Sequence, residues 1–449
     1  MAAKVLECND NPFLHPEIET MPGEMLRNLQ FQKFKKVLKK AYAHSPFYRK
    51  ICQDVGVSPD DIKEFDDIQK LPFLEKKLVR DAYPFGLLLV PQEMVSEYHT
   101  TSGTTGKAIA VCATKEDMER WAKLNARSLW MCGCRPGDIL LMSFAYGLAT
   151  GIGFHYGAQQ MGMGVVPGGI GRTDFLIDLI RDFGITTITT TPTYGLHLAE
   201  KALERGINLA TDTRLKFGLF GAEPWPESTR AKLEEMLGIE AYNEYGMGEF
   251  LGPGMACECQ EKNGMHIWSD SLLVECINPE TGKWVKDGEQ GEIVWSWIGS
   301  DTCAMLRYRS HDVAAVHSGE CPCGRTHPKL GRIMGRSDDA ISISGYVVFP
   351  SKVNEVLNAI PELGNNFRLI IESKGSLDHL TVKAEVKDNL FLADDHQEQL
   401  AKKVVKEVKT YLGMTPTVEL VPPNSLPRDE EHGKTASKRI EDRRKWGIK

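Results

Sequence analysis

The sequence predicts an α/β fold: a large N-terminal domain of mixed and parallel sheets that carries a β-rich subdomain, then a small α+β C-terminal domain. Three observations predict it. Apolar strand-like runs alternate with helical patterns between residues 138 and 220, as in a parallel sheet covered on both faces. From 270 to 318 the pattern changes to strands separated by turns. Beyond residue 338 a shorter set of helical and strand-like runs follows. The expected domains are 1–337 and 338–449.

Composition bounds the function. The chain has 449 residues, 42% hydrophobic and 26% charged, enough for two or three domains with sizeable cores. The formal charge of -7 implies no basic face, so nucleic acid is not an expected partner. The N-terminal residues lack the long apolar core of a signal peptide, and a cytoplasmic protein is expected. Residues 139–171 contain no charged side chain, and that length suffices for a membrane span. Nine glycines, Pro167 and His155 interrupt it, so the expectation is buried protein beside an active site and no membrane contact. Eleven cysteines fit a reducing compartment better than a disulfide framework.

Taken in order, Met25 to Tyr48 carries Leu29, Phe31, Phe34, Val37, Leu38 and Tyr42 at helical spacing, closed by His44-Ser-Pro. Tyr98-His-Thr-Thr-Ser-Gly-Thr-Thr-Gly-Lys107 comes next. Its glycines let backbone N–H groups approach an anion, its hydroxyls add donors, and Lys107 adds charge. It is not a Walker loop, because only two residues separate Gly103 from Gly106 and Ala108 follows the lysine. A helix is expected over 115–131, then a strand over 138–143. Residues 143–156 lead into a glycine-rich turn. A helix over 175–183, a strand over 186–190, a helix over 194–205 and a strand over 215–220 follow. Gly221-Ala-Glu-Pro224 lies just beyond that last strand, and Tyr242-Asn-Glu-Tyr-Gly-Met-Gly-Glu249 beyond the next. In open α/β sheets ligands bind at such strand ends. The β-rich part holds Arg307-Tyr-Arg-Ser-His-Asp312. After 338, helices are expected over 351–360 and 395–412, and strands over 367–372, 380–386 and 417–421.

Three C-x-C pairs occur. Cys132 and Cys134 end a helix and read as packing. Cys257-Glu-Cys259, His266 and Cys321-Pro-Cys323 offer the thiols and imidazole that tetrahedral zinc prefers. The residues alone leave Cys257 and Cys259 as alternatives.

Together these motifs resemble the adenylate-forming superfamily, and most closely the phenylacetate–coenzyme A ligase family, over almost the whole chain. The resemblance implies that Thr101, Ser102, Gly103, Thr104, Thr105, Gly106 and Lys107 cradle the phosphates of ATP. Gly221, Ala222, Glu223 and Pro224 would line the adenine. Asn243 would meet its edge and Tyr245 its face, with Glu244, Gly246 and Met247 in the same segment. Glu249 would hold Mg²⁺. Asp312 would accept from the ribose hydroxyls. The family's usual form there is Tyr-Arg-Thr-Gly-Asp, so Ser310 and His311 depart from it. Arg332 and Arg336 would contact ribose or phosphate. Gly331 to Tyr346 resembles the superfamily's hinge region, so Asp338 would be the hinge of a mobile C-terminal domain, and Gly345 would enter the site in the thioester-forming state. Lys434, with Lys438 as its competitor, would contact the carboxylate and α-phosphate. The structural zinc set becomes Cys259, His266, Cys321 and Cys323. The acyl pocket becomes Phe144, Ala145, Tyr146, Ala149, Ile152 and Gly153, with Thr191 and Pro192 nearby. The small residue at Ala149, where phenylacetate-active relatives often have Phe, implies room for an acid larger than phenylacetate. The implied activity is AMP-forming ligation of an aryl acid to coenzyme A, in a homodimer as relatives often are. AMP transfer to another acceptor is the alternative.

Overall fold

The computed structural model describes residues 11–101, 108–144, 151–300, 302–338, 341–343, 346–374, 377–388, 394–426 and 439–443. The chain divides into two compact units. The first comprises Met1–Glu223, Thr229–Ser310 and Ala314–Arg332; the second comprises Pro224–Ser228, His311–Val313 and Ile333–Lys449.

The first unit opens with helices α1 (Pro16–Glu19), α2 (Gly23–His44) and α3 (Pro46–Asp54). The single helix expected from Met25 to Tyr48 is therefore two. Ser45 ends α2 and caps α3, its hydroxyl accepting the Tyr48 N–H at 3.2 Å, and Pro46 needs no hydrogen bond in the first helical turn. Helix α4 (Lys76–Asp81) precedes a hairpin of β1 (Val95–Thr100) and β2 (Ala110–Thr114). Helix α5 (Lys115–Met131) then begins with a capping box between Thr114 and Asp117, which explains its legible start.

An alternating series follows: β3 (Ile139–Met142), α6 (Ile152–Met161), β4 (Gly164–Pro167), α7 (Thr173–Asp182), β5 (Thr187–Thr190), α8 (Pro192–Glu204), α9 (Leu209–Asp212), β6 (Phe217–Phe220), α10 (Glu227–Leu237) and β7 (Glu240–Met247). Strands β4-β3-β5-β6-β7 are mutually parallel in that order. The series continues as β8 (Gly252–Glu258), β9 (Met265–Ile267), β10 (Leu272–Ile277), β11 (Gln290–Trp297), β12 (Tyr308–His317) and β13 (Lys329–Leu330). The order runs on from β7 through β8-β9-β13-β12-β11-β10. The β-rich segment is thus continuous with the parallel sheet. The change of direction falls at β7, parallel to β6 but antiparallel to β8.

Helix α6 was not legible. Its glycines read as a turn, because each costs a helix ~1 kcal/mol relative to alanine. Their use is close approach. A Cβ at Gly153 would lie 2.5 Å from Trp121, and one at Gly157 would lie 2.7 Å from the Ala126 backbone, both on α5. The charge-free stretch therefore holds a ten-residue packed helix. No helix among the described residues is long and apolar enough to cross a membrane.

The second unit contains β14 (Gly335–Arg336), β15 (Ile341–Ile343), β16 (Tyr346–Val348), α11 (Pro350–Asn358), β17 (Leu363–Lys374), β18 (Leu377–Val386), α12 (Asp394–Leu412), β19 (Thr417–Val421) and β20 (Ile440–Asp442). Its sheet has the order β19-β18-β17-β20. Leu369, Ile371, Leu380 and Val382 pack with Val353 and Leu357 of α11 and Val404 and Val408 of α12. This is the alternating face of a hairpin meeting one face of each helix.

Candidate active site and metal centre

The parallel pairing of β6 and β7 brings two motifs together. Phe220, the last residue of β6, is the ladder partner of Asn243. Gly221-Ala-Glu therefore leaves β6 alongside the second half of β7. The approach is tight: a Cβ at Gly221 would lie 2.6 Å from the Glu244 carbonyl oxygen. Ala222 has φ 69°, a left-handed conformation unusual for a residue with a side chain, and such strain clusters at functional sites. Glu223 accepts the Thr193 N–H at 2.7 Å, fixing this loop to the start of α8. Tyr245 stacks on Trp295 at 5.7 Å between ring centroids.

Glu249 stands at the apex of the β7–β8 hairpin, in a one-turn helix from Gly248 to Phe250. Leu251, with φ 69°, turns the chain back. The side chain is buried, yet it has two partners: Lys76 Nζ at 3.2 Å, and the Tyr308 hydroxyl, which donates at 3.1 Å. Both arrive by one device. The Leu74 N–H donates to the Arg307 carbonyl and the Arg309 N–H donates to the Leu74 carbonyl, so residues 74–76 run beside Tyr308. Sequence reasoning missed Lys76, because nothing local to it signals a partner so distant in the chain. The base of the β1–β2 hairpin adjoins Glu249. Thr101 and Ile109 close it, the Thr101 N–H donating to the Ile109 carbonyl at 3.0 Å and Thr101 Oγ1 accepting the Ile109 N–H at 3.0 Å. A Cβ at Gly248 would lie 3.4 Å from the Thr101 methyl. A buried carboxylate compensated by a half-exposed lysine suits a hard cation.

In the second unit Asp312 and Arg336 are ladder partners on β12 and β14. The Arg336 guanidinium lies 3.7 Å from Asp312 and donates twice to Asp338, at 2.9 Å each. One arginine thus joins the expected ribose and hinge carboxylates. His311 has φ 64°. That conformation explains the family's glycine here, and it costs a β-branched residue most. We expect His311→Gly to be nearly neutral and His311→Val to lose about 2 kcal/mol, read as a shift in urea midpoint at constant slope.

Of the expected acyl pocket, Phe144 and Gly153 are buried and Ile152 is half-buried. Thr191 caps α8 by accepting the Tyr194 N–H, and Pro192 is its first residue. The indole of Trp121 donates to the Pro253 carbonyl at 2.6 Å, tying this wall to β8. Gly246, Met247 and Arg332 are half-buried. Ser102, Gly103, Thr104, Thr105, Gly106, Lys107, Ala145, Tyr146, Ala149, Gly345, Lys434 and Lys438 lie outside the described residues.

The second constellation is complete. The donor atoms of Cys259, His266, Cys321 and Cys323 all lie within 4.8 Å of one another, and all four residues are buried. Cys259 Sγ is 3.8 Å from Cys321 Sγ, and Cys323 Sγ is 3.3 Å from His266 Nε2. A tetrahedron with zinc–sulfur bonds of about 2.3 Å has edges of about 3.8 Å, so the set fits zinc. His266 Nδ1 lies 3.1 Å from the His327 carbonyl. A carbonyl only accepts, so Nδ1 carries the proton and Nε2 keeps its lone pair for a metal. The antiparallel β8–β9 pair brings Cys259 near His266, while the Cys321–Gly324 turn, closed by the Gly324 N–H at 2.8 Å from the Cys321 carbonyl, supplies the other two. Cys257 is elsewhere: its sulfur lies 3.7 Å from Cys132, at the end of α5.

The fold and this arrangement of motifs define an AMP-binding enzyme. Residues 91–305 match the AMP-binding enzyme family and residues 345–444 the AMP-binding enzyme C-terminal domain. Within that class the chain belongs to the phenylacetate–coenzyme A ligase family. It is 38% identical over 430 residues to the phenylacetate–coenzyme A ligase of Thermus thermophilus, covering 92% of this chain and 96% of that protein. It is 39% identical over 431 residues to the enzyme of the same name from Aromatoleum evansii, covering 95% and 96%. Among solved structures, 2-hydroxyisobutyryl-CoA ligase in the postadenylation state is similar with a TM-score of 0.86 at 27% identity, covering 98% of this chain and 94% of that one.

Proposed function

We propose that this chain ligates an aromatic carboxylic acid, phenylacetate or a related arylacetate, to coenzyme A through an acyl-AMP intermediate, releasing AMP and pyrophosphate. The observation that carries the reading is the seat of Glu249, buried beside the base of the phosphate loop, in a chain that matches phenylacetate–coenzyme A ligases over nearly its full length.

The chemistry follows from the substrates. A carboxylate has a poor leaving group, so its oxygen first attacks the α-phosphorus of ATP and pyrophosphate departs. The coenzyme A thiolate then attacks the acyl carbon, and AMP departs. The first step presses anion against anion, so cations and oriented donors must meet the charge as it develops. Thr101 and the following loop through Lys107 would supply donors, and Lys434 the cation at the carboxylate. Glu249 would hold Mg²⁺, which supplies neutralisation of the phosphates. Asp312 would orient the ribose. The domain beyond Asp338 would rotate between the steps, exchanging Lys434 for Gly345. Cys259, His266, Cys321 and Cys323 would hold a structural zinc, since four protein ligands leave no open position. Soluble small molecules are the partners, in a cytoplasmic homodimer.

The test is AMP release from ATP and Mg²⁺ across a panel of aryl and aliphatic acids, with and without coenzyme A. Release that needs both coenzyme A and an aryl acid is expected. Release that ignores coenzyme A would assign another acceptor.

A further inference from the structure

Strand β7 also carries Glu244, expected within the nucleotide-binding segment. Side chains alternate along a strand, so Glu244 points away from Asn243 and Tyr245, the residues expected on the adenine. The Gly254 N–H donates to Glu244 Oε1 at 2.6 Å. Its Oε2 has no hydrogen-bond partner among the described residues, although the residue is only 7% exposed. No cation faces it. Burial, opposed only by the Gly254 N–H, pushes this carboxyl up to about 8. At neutral pH it is mostly protonated, with an O–H to donate and oxygens to accept.

Its surroundings are those of the acyl wall. Gly254 is packed against Asn125, so that a Cβ there would lie 2.6 Å from Asn125 Nδ2 and 3.2 Å from Oδ1. Asn125 Nδ2 donates to the Trp121 and Pro253 carbonyls, while Oδ1 is buried with no partner among the described residues. A Cβ on Gly153 would strike both Trp121 and Asn125. The other side of Glu244 is Gly221, where a Cβ would lie 3.0 Å from Oε2. Asn125, behind the first turn of α6 where the acyl group is expected, and Glu244 therefore both adjoin Gly254, each with one unpartnered polar atom. An orphaned buried polar atom such as Asn125 Oδ1 is costly, and water or a ligand group can satisfy it.

We propose that Glu244 and Asn125 recognise a hydrogen-bonding group on the ring of the acyl substrate, so that this chain activates an aromatic acid bearing a phenolic hydroxyl or a ring N–H in preference to plain phenylacetate. A hydroxyl matches the pair, since it can accept from the Glu244 carboxyl and donate to Asn125 Oδ1. The inference rests on the proposed ligase reading and specifies its substrate.

The experiment compares kcat/KM for phenylacetate, 3- and 4-hydroxyphenylacetate and indole-3-acetate, in the wild type and in Glu244→Gln and Glu244→Ile. A buried site built for a polar hydrogen rejects the analogue lacking it strongly, so at least one polar acid should exceed phenylacetate by about tenfold or more. Glu244→Ile should remove that preference, and Glu244→Gln should keep part of it. A wild type that prefers phenylacetate would overturn the proposal even if neither variant folds. An equal loss for all four acids in folded Glu244→Ile would also overturn it, because that is the signature of a structural role. Absence of thioester formation with every acid would instead sink the ligase reading beneath it.

Discussion

Glu249→Gln lowers AMP formation by about a hundredfold or more, with thermal stability little changed. The magnitude follows from the several kcal/mol of charge stabilisation that a catalytic metal supplies. The separation of activity from stability follows from the geometry. Lys76 is the residue left without its carboxylate, and its side chain is 35% exposed. Water can solvate it, so the fold loses one partly screened ion pair rather than acquiring a buried unpaired charge. Tyr308 keeps an acceptor in the amide oxygen. Steady-state AMP release over a range of Mg²⁺ concentrations, beside a melting curve, checks both halves. An unchanged rate would remove Glu249 from the metal site.

The second large effect is on stability. One zinc per chain should copurify with the protein, and Cys323→Ser should lose it together with about 4 kcal/mol or more, as losing a structural metal does. Cys257→Ser should keep the metal, because the Cys257 thiol lies against Cys132 instead of the four-donor cluster. Metal analysis of the two variants separates the alternatives that the C-x-C spacing leaves open. Zinc retained in Cys323→Ser and lost in Cys257→Ser would refute the assignment.

The legible parts of the fold share one feature: a local signal that agrees with the tertiary result. Helix α5 begins and ends where its capping box and apolar spacing place it, and β19 matches its expected span. Helix α6 was illegible because its glycines serve contact with α5, and only the fold reveals that contact. The break at Ser45 was read as a helix end, since Ser-Pro marks a boundary without saying that a second helix follows. The division of labour at the site is similar. The Gly221 motif could be placed at a strand end from pattern alone, whereas the Asn243 motif, expected beyond a strand, forms β7 itself. Their adjacency needed the parallel β6–β7 register. Lys76 and Asn125 carry no motif, and they matter only through what the chain folds against them. His311 shows the reverse case: an apparent departure from the family pattern is understood once its left-handed backbone is seen.

The central claim is activation of the acid through its adenylate, and oxygen transfer tests it most directly. Phenylacetate labelled with ¹⁸O in both carboxyl oxygens is turned over with ATP, Mg²⁺ and coenzyme A, and the products are separated for mass spectrometry. The account predicts that AMP carries one ¹⁸O, because the carboxylate oxygen that attacks the α-phosphorus stays with it when the thiolate displaces AMP. Label in inorganic phosphate or pyrophosphate, with none in AMP, would contradict the account.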